Sequence, residues 1–520
     1  MTCVTSAKYS ILFDGNPDGF IQPTCGLRQG CALSPYLFIL CMDVLTRRLM
    51  HETQEGRLKG IQLSTNGPIL NTLLYADDLL IFVEASVGEV QRLITILDQF
   101  CEFSGQQIGH SKSKIRFSKS TPQSMRISVM ATLNATVASS NEVYLGSSVI
   151  ASKPCHFQPL VNKIENKLQG WKATFLSQAG KVTLIKSVIE PMLLHAMATS
   201  SVPKATLDII QSKVISFFWF TKEQKKVPLV AWNKVTRPKM CGDLGLRDFS
   251  CLNAAFNLKC LWKIAADSSA LWVRVAKAKY LKDESFWLST RRTRCTALWR
   301  AIMDARSTIQ HHVSWQLGDG TLCRVFGQPW HDLWHLIKLA SLNQNHIVVS
   351  ELLNVKGGWD TSKLIQVFGF ATALFISISV KPPQSNPRRE DRLIFTYAKN
   401  GKFSLQKAYL LLAPASPSPT FNQKLLKALW QTQWLLPRVR IFLWKTMHNS
   451  LPLGDILGRR IANVPRPCSL CGYTAETITH ALFKCPWART LWLSSEFGLR
   501  TDELDDNVIA LLMTIFGEPE

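Results

Sequence analysis

Two adjacent aspartates, Asp77 and Asp78, interrupt an otherwise apolar run, TLLYADDLLIFVE, between Thr72 and Glu84. The apolar residues on either side are too few for two helices, but they suit a β-hairpin that folds at the acids. Two carboxylates taken out of water cost several kcal/mol per ion unless cations or hydrogen bonds offset that cost. The run therefore predicts positive charge at this position. An exposed hairpin turn, where Asp is common, is the alternative for an isolated Asp-Asp pair.

The size and charge of the chain narrow its class. Its 520 residues exceed the size at which single cores stop growing, so about two to four domains are expected. Lys and Arg number 60 against 37 Asp and Glu, which gives a formal net charge of +23 and favours an acidic polymer, above all nucleic acid, as partner. A basic protein without such a ligand is the alternative, because the excess is spread along the chain.

The cysteines and the apolar runs indicate an intracellular protein with no membrane partner. Most of the 14 cysteines are scattered in apolar settings, such as Cys41, Cys251 and Cys260, where Cys behaves as a small hydrophobe. The first residues lack an apolar signal core, and the longest apolar run, Val367 to Val380, is too short to span a bilayer. A reducing, intracellular compartment is expected.

The first 105 residues predict a mixed α+β pattern. Tyr9 to Gln22 reads as a hairpin around the turn cluster Asp14 to Gly19. A helix should follow, capped by Ser34 with Pro35 in its first turn. After the acid pair, apolar residues from Val90 to Phe100 predict another helix, which ends near Ser104-Gly105.

Helical patterns dominate from about Val161 to residue 350. Pro191 is expected to break the first long helix, and a second is predicted from Thr206 to Phe220. Proline and charge mark a joint at Lys381 to Arg392, and Ala413 to Pro419 (APASPSP) reads as a flexible spacer.

Four short segments follow one another in a fixed order: Gly26 to Pro35 (GLRQGCALSP), Tyr75 to Asp78 (YADD), Ser104 to Ser113 (SGQQIGHSKS) and Tyr144 to Gly146 (YLG). They resemble the RQGxPLSP, YxDD, SGLxxNxxKS and YLG segments of reverse transcriptases of non-LTR (LINE-type) retrotransposons. The FxxxxD helix of that family matches Phe38 to Asp43. The sequence departs from the family pattern at three positions: Ala32, Gln106 and Gly109.

The resemblance implies an RNA-directed DNA polymerase whose catalytic carboxylates, Asp77 and Asp78, bind Mg²⁺ or Mn²⁺. Carboxylates suit these ions, and polymerase-type phosphoryl transfer uses two of them. The implied partners are RNA, DNA and deoxynucleoside triphosphates. The residues assigned to nucleotide or template binding are Arg28, Gln29, Gly30, Tyr75 and Lys112. Glycine lets a backbone approach a ligand closely, and lysine can face phosphates as a point charge.

A further carboxylate is expected to be missing. Successive side chains on a strand point to opposite faces, so Asp77 and Asp78 should not reach one metal pair unaided. In the family the other aspartate lies on a strand ahead of the RQG segment, and Met1 lies only 27 residues before Arg28. Asp14, Asp18 and Asp43 lack the right context. We therefore expect an N-terminally truncated polymerase that is impaired on its own.

A second motif lies near the end of the chain, where Cys468, Cys471, His480 and Cys485 have the spacing C-x2-C-x8-H-x4-C. Three thiolates and one imidazole match a closed tetrahedral Zn²⁺ site, whereas three core cysteines with a stray histidine are the alternative. The segment from Phe403, with FLWK at Phe442 to Lys445, resembles the zinc-binding domain that follows the reverse transcriptase in plant non-LTR elements. That resemblance implies that all four residues bind zinc.

The predicted fold class is α+β, with a partial reverse transcriptase palm, a helical thumb and connection region, and a small zinc-binding C-terminal domain. The predicted domains are a palm at 1–150, a thumb-like region at 151–270, a connection at 271–400, a zinc-binding domain at 401–500 and a tail at 501–520. Within them, GWKATFLSQAGKVTLIK resembles the family's thumb-side segment and Trp315 to Trp330 its GDG turn. Five lysines are candidates for phosphate contact: Lys163, Lys167, Lys172, Lys181 and Lys186.

Two other functions stay open at this level. One is a non-catalytic, zinc-containing protein that binds nucleic acid through its basic surface. The other is a zinc-stabilised interaction protein that ignores nucleic acid. Salt-sensitive binding of RNA or DNA with nucleotide incorporation indicates the polymerase, and the same binding without incorporation indicates the non-catalytic protein. Absence of binding at low salt indicates the interaction protein. The oligomeric state is not set by the sequence.

Overall fold

The computed structural model describes residues 6–24, 26–109, 111–139, 143–148, 153–170, 175–219, 228–266, 268–282, 284–290, 293–334, 347–383, 390–413, 421–432, 434–461 and 464–502. Helices and short strands alternate along them, so the predicted α+β class is confirmed. The chain divides into two compact units, Met1–Ile150 with Asp267–Glu284, and Ala151–Ala266 with Ser285–Glu520.

The strands are short and pair two by two. In chain order they are β1 Tyr9–Phe13, β2 Asn16–Ile21, β3 Ile61–Gln62, β4 Ile69–Leu70, β5 Thr72–Tyr75, β6 Asp78–Ile81, β7 Lys114–Ile115, β8 Thr136–Val137, β9 Val143–Tyr144, β10 Ser147–Ser148, β11 Val313–Gln316 and β12 Arg392–Phe395. Each strand pairs with its neighbour in this order, and β7 with β8 is a parallel pair while the others are antiparallel.

Most of the described chain is helical. The helices are α1 Ser34–Gln54, α2 Val87–Ser104, α3 Gln123–Leu133, α4 Gln158–Gln169, α5 Gln178–Thr199, α6 Lys204–Trp219, α7 Trp232–Val235, α8 Phe249–Ala265, α9 Leu271–Ala276, α10 Ala297–Asp304, α11 Arg306–Ile309, α12 Thr361–Phe368, α13 Phe370–Ser379, α14 Leu405–Leu412, α15 Phe421–Gln431, α16 Pro437–Met447, α17 Gly454–Gly458 and α18 Pro486–Ser494. The π-helical segments are Ile185–Ile189 inside α5, Lys277–Leu281 after α9 and His480–Lys484 before α18.

The first hairpin is present, but its turn is tighter than predicted. Only Asp14 and Gly15 form the turn, with φ of 48° and 83°, and Asn16 to Gly19 belong to β2. Two consecutive positive φ values are what a two-residue hairpin turn needs, and Asp-Gly supplies them at little cost. Both strands are exposed along their whole length.

The two long helices of the first unit form where the apolar stripes predicted them. In α2, Ser86 accepts a hydrogen bond from the Glu89 N–H, and Gly105 ends the helix at φ 69°. Their core contains Leu45, Leu49, Leu93, Ile96 and Phe100. Fully burying a side chain of this kind contributes about 1.5–3 kcal/mol.

The predicted Ser34 cap is wrong. The N-cap position is Leu33, which makes no side-chain cap, and Ser34 lies inside the first turn of α1 together with Pro35. The Ser34 hydroxyl donates instead to the Arg28 carbonyl at 2.8 Å. This bond ties the preceding loop to the start of α1.

Pro191 does not break the first long helix of the second unit, contrary to the prediction. The helix α5 runs from Gln178 to Thr199 because the Ile185–Ile189 segment widens into a π-helix just before the proline. Proline lacks an N–H, and its ring clashes with the carbonyl four residues earlier in a regular α-helix. A wider turn ahead of it relieves that clash.

One large core holds most of the second unit together. Buried residues of α4, α5, α6 and α8 share it with Leu426, Leu429, Ile441 and Trp444 from α15 and α16. Helices from the predicted thumb region and from the predicted zinc-binding domain therefore pack as one body. The finer domain boundaries stay a prediction.

Among the helices of the described ranges, α5 alone is long and apolar enough to cross a membrane by length and composition. Its residues Ile185, Ile189, Leu193 and Met197 lie in the large core, each at most 2% exposed. An internal helix of a globular core passes the same test.

A buried aspartate holds together the GDG segment that the sequence singled out. The strand pair β11–β12 joins segments far apart in the chain and brings Asp391, 5% exposed, against residues 318–323. Its carboxylate accepts N–H groups from Gly318 at 2.6 Å, Gly320 at 3.0 Å, Leu322 at 2.9 Å and Cys323 at 3.0 Å. A buried carboxylate needs such partners. Sequence reasoning placed Asp391 only in a charged joint.

Several predictions fall outside the described residues. They concern residues 414–419 of the spacer, 384–389 of the charged joint and 171–174 of the thumb-side segment, which include Lys172. Phe220 and the tail from 503 onward lie outside as well.

Candidate functional site

The acid pair lies at the tip of a β-hairpin, as predicted. β5 and β6 are antiparallel, with Tyr75 opposite Asp78, so Ala76 and Asp77 form a two-residue turn. Ala76 has φ of 52°, in the left-handed region that side-chain-bearing residues enter at a cost. Asp77 therefore lies in the turn and Asp78 on β6, so the alternation of side chains along a strand does not govern the pair.

The expectation that these acids are taken out of water is wrong. Tyr75 to Asp78 are all exposed, and Tyr75 is 65% exposed. The turn projects them past the strand ends, while the apolar residues behind them, such as Leu74 and Leu79, pack against the α1–α2 core. Because the two carboxylates are exposed to water, they do not need a cation to offset a cost of burial. The tip has the geometry of an exposed hairpin turn. The carboxylates remain open to a ligand from solution.

The structure brings a second predicted motif to the acid pair. In Tyr144 to Gly146, Leu145 and Gly146 have φ of 49° and 76° and form the turn between β9 and β10. Burial raises the pKa of Tyr144, and the negative charge of Asp78 raises it further. The Asp78 charge therefore acts on a phenol that lies 66 positions further along the chain.

The other predicted nucleotide or template contacts are exposed. Gly30 has φ of 78°, and an added Cβ would meet nothing within 4 Å, so the backbone conformation rather than crowding requires glycine there. Arg28, Gln29 and Lys112 are exposed, and Lys112 lies in a turn where its N–H donates to the Gly109 carbonyl at 2.9 Å. Their roles stay predictions.

Within the described ranges, a group of three or more ligand side chains forms at one place, the cysteine–histidine cluster. At the hairpin tip, no third Asp, Glu, His or Cys of the described residues joins Asp77 and Asp78 to form such a group. The pair has the oxygen donors that Mg²⁺ and Mn²⁺ prefer, but two carboxylates leave most of an octahedral shell to water or substrate.

The four predicted zinc ligands converge. The ligand atoms of Cys468, Cys471, His480 and Cys485 all lie within 4.8 Å of one another, and Cys471 Sγ is 3.2 Å from His480 Nε2. Zn–S bonds of about 2.3 Å in a tetrahedron put neighbouring ligand atoms about 3.5–4 Å apart. The donor set and its spacing therefore fit a Zn²⁺ ion after small adjustments.

The local fold prepares this cluster for a metal. The Cys468 N–H donates to the Tyr473 carbonyl at 2.8 Å, and the Gly472 N–H donates to the Cys468 carbonyl at 2.9 Å, which closes a knuckle around the first two cysteines. Burial opposes ionisation of Cys468, but N–H groups of Leu470 and Cys471 and the thiols of Cys471 and Cys485 outweigh it, and the pKa of the Cys468 thiol is lowered. The N–H of Tyr473 opposes it, but burial and the thiols of Cys468 and Cys485 raise the pKa of Cys471, so Cys468 is the first of this pair to ionise. A lowered pKa favours the thiolate that zinc binds.

The histidine of the cluster is held in place by its neighbours. His480 begins the π-helical segment before α18 and is 6% exposed. Its ring stacks on Tyr473 with centroids 4.7 Å apart and planes 10° apart. Burial lowers the pKa of His480, which favours the neutral imidazole that binds a metal.

The predicted lysine path is corrected by the structure. Lys163 and Lys167 are exposed on α4, but Lys181 is 5% exposed, with its Nζ 5.2 Å from the centre of the Phe217 ring. Lys186 donates to the Leu244 carbonyl at 2.6 Å. Lys181 is buried and Lys186 is half-buried on α5, so both are less accessible to a phosphate than Lys163 and Lys167.

Two protein families match the chain. The family described as reverse transcriptase (RNA-dependent DNA polymerase) matches residues 1–170. The family described as zinc-binding in reverse transcriptase matches residues 403–492. The acid-tipped hairpin lies in the first region and the cysteine–histidine cluster in the second.

Three relatives are similar to parts of the chain. A putative ribonuclease H protein of Arabidopsis thaliana is 28% identical over 347 residues, which cover 65% of this chain and 55% of the relative. An uncharacterised mitochondrial protein of the same plant is 39% identical over 115 residues, or 21% of this chain and 90% of the relative. The retrovirus-related Pol polyprotein of a type-2 retrotransposable element of Drosophila melanogaster is 27% identical over 245 residues, or 44% of this chain and 22% of the relative. The chain thus spans about half the length of the first relative.

The hairpin, the cluster and the family matches together define a reverse transcriptase chain with a zinc-binding region. The chain belongs to the reverse transcriptases of plant non-LTR retrotransposons that carry this zinc-binding region, as the sequence segments indicated.

Proposed function

We propose that this chain contributes RNA-directed DNA synthesis by nucleotidyl transfer, with RNA, DNA and deoxynucleoside triphosphates as partners. The observation that carries the proposal is the hairpin whose tip presents Tyr75, Ala76, Asp77 and Asp78. The tip is exposed, so a primer end and a nucleotide have access to both carboxylates.

The two aspartates have a defined role in this proposal. Divalent ions bound there would activate the attacking oxygen and stabilise the leaving one, which is the chemistry that such ions supply in polymerases. Asp77 and Asp78 hold negative charge at a fixed tip, because the two-residue turn sets their spacing. Exposed Arg28, Gln29 and Lys112 supply donors and positive charge for nucleotide or template in the same proposal.

We further propose that synthesis by this chain alone is weak. Two exposed carboxylates bind divalent ions loosely, and a third carboxylate is needed to fix both ions. A second polypeptide segment that bears an aspartate on a strand would complete the site.

Primer extension on an RNA template tests both parts. Wild-type protein, Asp77→Ala and Asp14→Ala are compared with Mg²⁺ and with Mn²⁺, where Asp14 is an exposed acid in a different hairpin of the same unit. Weak wild-type extension that Asp77→Ala abolishes and Asp14→Ala preserves supports the proposal. Vigorous extension by the wild type that Asp77→Ala abolishes contradicts only the proposal that synthesis is weak. Extension that survives Asp77→Ala contradicts the assigned chemistry.

The zinc cluster has a structural role in this proposal. It closes the segment between α17 and α18 around one ion, and zinc binding then contributes to folding free energy. A non-catalytic nucleic-acid-binding protein is the second candidate; its argument is the net charge of +23, and the family matches do not favour it. Tight, salt-sensitive binding of RNA with no nucleotide incorporation under any metal condition would support that candidate.

A further inference from the structure

A polar cleft lies between α1 and α2 in the first unit, and no function is yet attached to it. It is a shallow cleft, open to solvent, with a volume of about 560 Å³, and it is lined by Arg48, Glu52, Arg57, Gly88, Gln91, Arg92, Thr95, Ile96 and Gln99. Its volume falls in the range of ligand pockets, which are usually mostly apolar. Here Ile96 is the one large apolar side chain among the lining residues, so the cleft suits a polar ligand rather than a hydrophobic one.

Three guanidinium groups converge on this cleft around one acid. Glu52 is 3% exposed, and its oxygens accept Arg57 Nε at 2.7 Å and Arg57 Nη2 at 3.2 Å. Arg48 Nη2 lies 3.2 Å from the same carboxylate. Arg92 Nη1 donates to the Arg57 backbone carbonyl at 3.1 Å. Hydrogen bonds and ion pairs thus hold the three planar guanidinium groups in place.

The charges in the cleft do not balance. Three arginines face Glu52 as the one acid in the lining, which leaves an excess of two positive charges. Glu55, outside the lining, approaches Arg57 Nη1 at 3.6 Å and is half exposed, so water screens it. The Arg48 and Arg57 side chains are 50% and 41% exposed, so part of each guanidinium still reaches solvent.

We propose that this cleft binds the phosphodiester backbone of a nucleic acid strand, a site distinct in residues from the acid-tipped hairpin. Arginine forks match phosphate oxygens in two-pronged hydrogen bonds, and the amides of Gln91 and Gln99 add neutral donors beside them. Glu52 holds Arg48 and Arg57 through these contacts, and both side chains keep part of their surface in solvent. The inference rests on the proposed nucleic-acid function.

Single-charge variants test the cleft. The variants are Arg92→Gln and Arg48→Gln, and the matched control is Arg47→Gln, which lies next to Arg48 on α1, is 79% exposed and pairs with Asp43 at 2.6 Å outside the cleft. Binding of labelled oligo(U) and oligo(dT) of about 20 nucleotides is measured against salt, without nucleotides or added metal. Removing one arginine–phosphate ion pair reduces the slope of log K against log salt by about 0.7–1.

The expected result is a shallower salt slope and weaker binding for Arg92→Gln and Arg48→Gln, while Arg47→Gln and wild type agree. Arg92→Lys keeps the charge and should retain most of the slope, which separates charge from packing. Wild-type binding with unchanged slopes in both cleft variants overturns the inference and leaves the proposed function standing. Absence of wild-type binding to either oligonucleotide at low salt overturns both. If one variant does not fold, the other decides.

Discussion

Tyr75 and Asp78 face each other across the last paired position of the β5–β6 hairpin, which leaves Ala76 and Asp77 as its whole turn. The register fixes where both acids can point, because a two-residue turn has little freedom. The proposed metal site therefore depends on the backbone of Ala76 as much as on the carboxylates.

Changing Ala76 tests that dependence. Ala76→Val should lower the local stability of the hairpin by about 1–2 kcal/mol, because a β-branched side chain at φ of 52° is strained more than alanine. Ala76→Gly at the same exposed position should be neutral or stabilising, since glycine adopts this φ freely. Hydrogen exchange of the β5 and β6 amides measures both. Equal protection in the two variants would show that the turn carries no strain.

Substitution of a cysteine inside the zinc cluster should lower the zinc content of the protein, whereas substitution of a cysteine outside it should not. Purified protein should hold about one Zn²⁺ per chain, and Cys485→Ser should lose it and melt at a lower temperature. Cys155→Ser is the matched control, because Cys155 is exposed and lies outside the cluster. Metal analysis and thermal unfolding are the measurements. A Cys485→Ser protein that retains zinc stoichiometrically would refute the four-ligand assignment.

Substitution of Asp391, which belongs to neither candidate site, should have a large effect on stability. Asp391→Ala should destabilise the second unit by about 3 kcal/mol or more, because four backbone N–H groups would lose a buried acceptor. Asp319→Ala, in the same GDG turn, should cost much less, since Asp319 is only half-buried and its hydrogen bonds from the Thr321 N–H and hydroxyl lie near the surface. Urea unfolding compares them. A smaller effect at Asp391 than at Asp319 would contradict the role assigned to the buried carboxylate.

Lys186 predicts a pH dependence of stability. Burial, with the nearby charge of Lys239, lowers the pKa of Lys186 from its ordinary 10.5 to about 8. Between these values the unfolded chain binds more protons than the folded one, so this group makes stability rise with pH from about 8 to 10.5. The difference in unfolding free energy between wild type and Lys186→Met should show that rise. A difference that is flat across this range would show that the amine is not buried.

Local signals in the sequence were sufficient for several elements. The acid-tipped hairpin, α2 with its Gly105 end, and the convergence of four zinc ligands all depend on residues close in the chain or on metal-ligand spacing, and they formed as predicted. The resemblance identified the family for the same reason, because its motifs are short and ordered.

Other features depend on contacts that local patterns do not encode. The pairing of β11 with β12 and the role of Asp391 need segments about 70 positions apart to meet. Pro191 was predicted to stop a helix, yet a π-helical segment accommodates it because the surrounding core favours a continuous α5. The prediction that Asp77 and Asp78 are buried was wrong, because the apolar residues on either side pack inward while the turn itself is exposed.

Binding of divalent ions at the hairpin tip can be measured by a Mn²⁺ titration of the zinc-loaded protein followed by electron paramagnetic resonance, which reports free Mn²⁺. The variants are Asp77→Asn/Asp78→Asn and, as a control with the same charge change in another exposed hairpin, Asp14→Asn/Asp18→Asn. We expect weak binding by wild type that the first pair of substitutions abolishes and the second preserves. Equal Mn²⁺ binding by all three proteins, or none by wild type, would contradict the assignment of a metal site to Asp77 and Asp78.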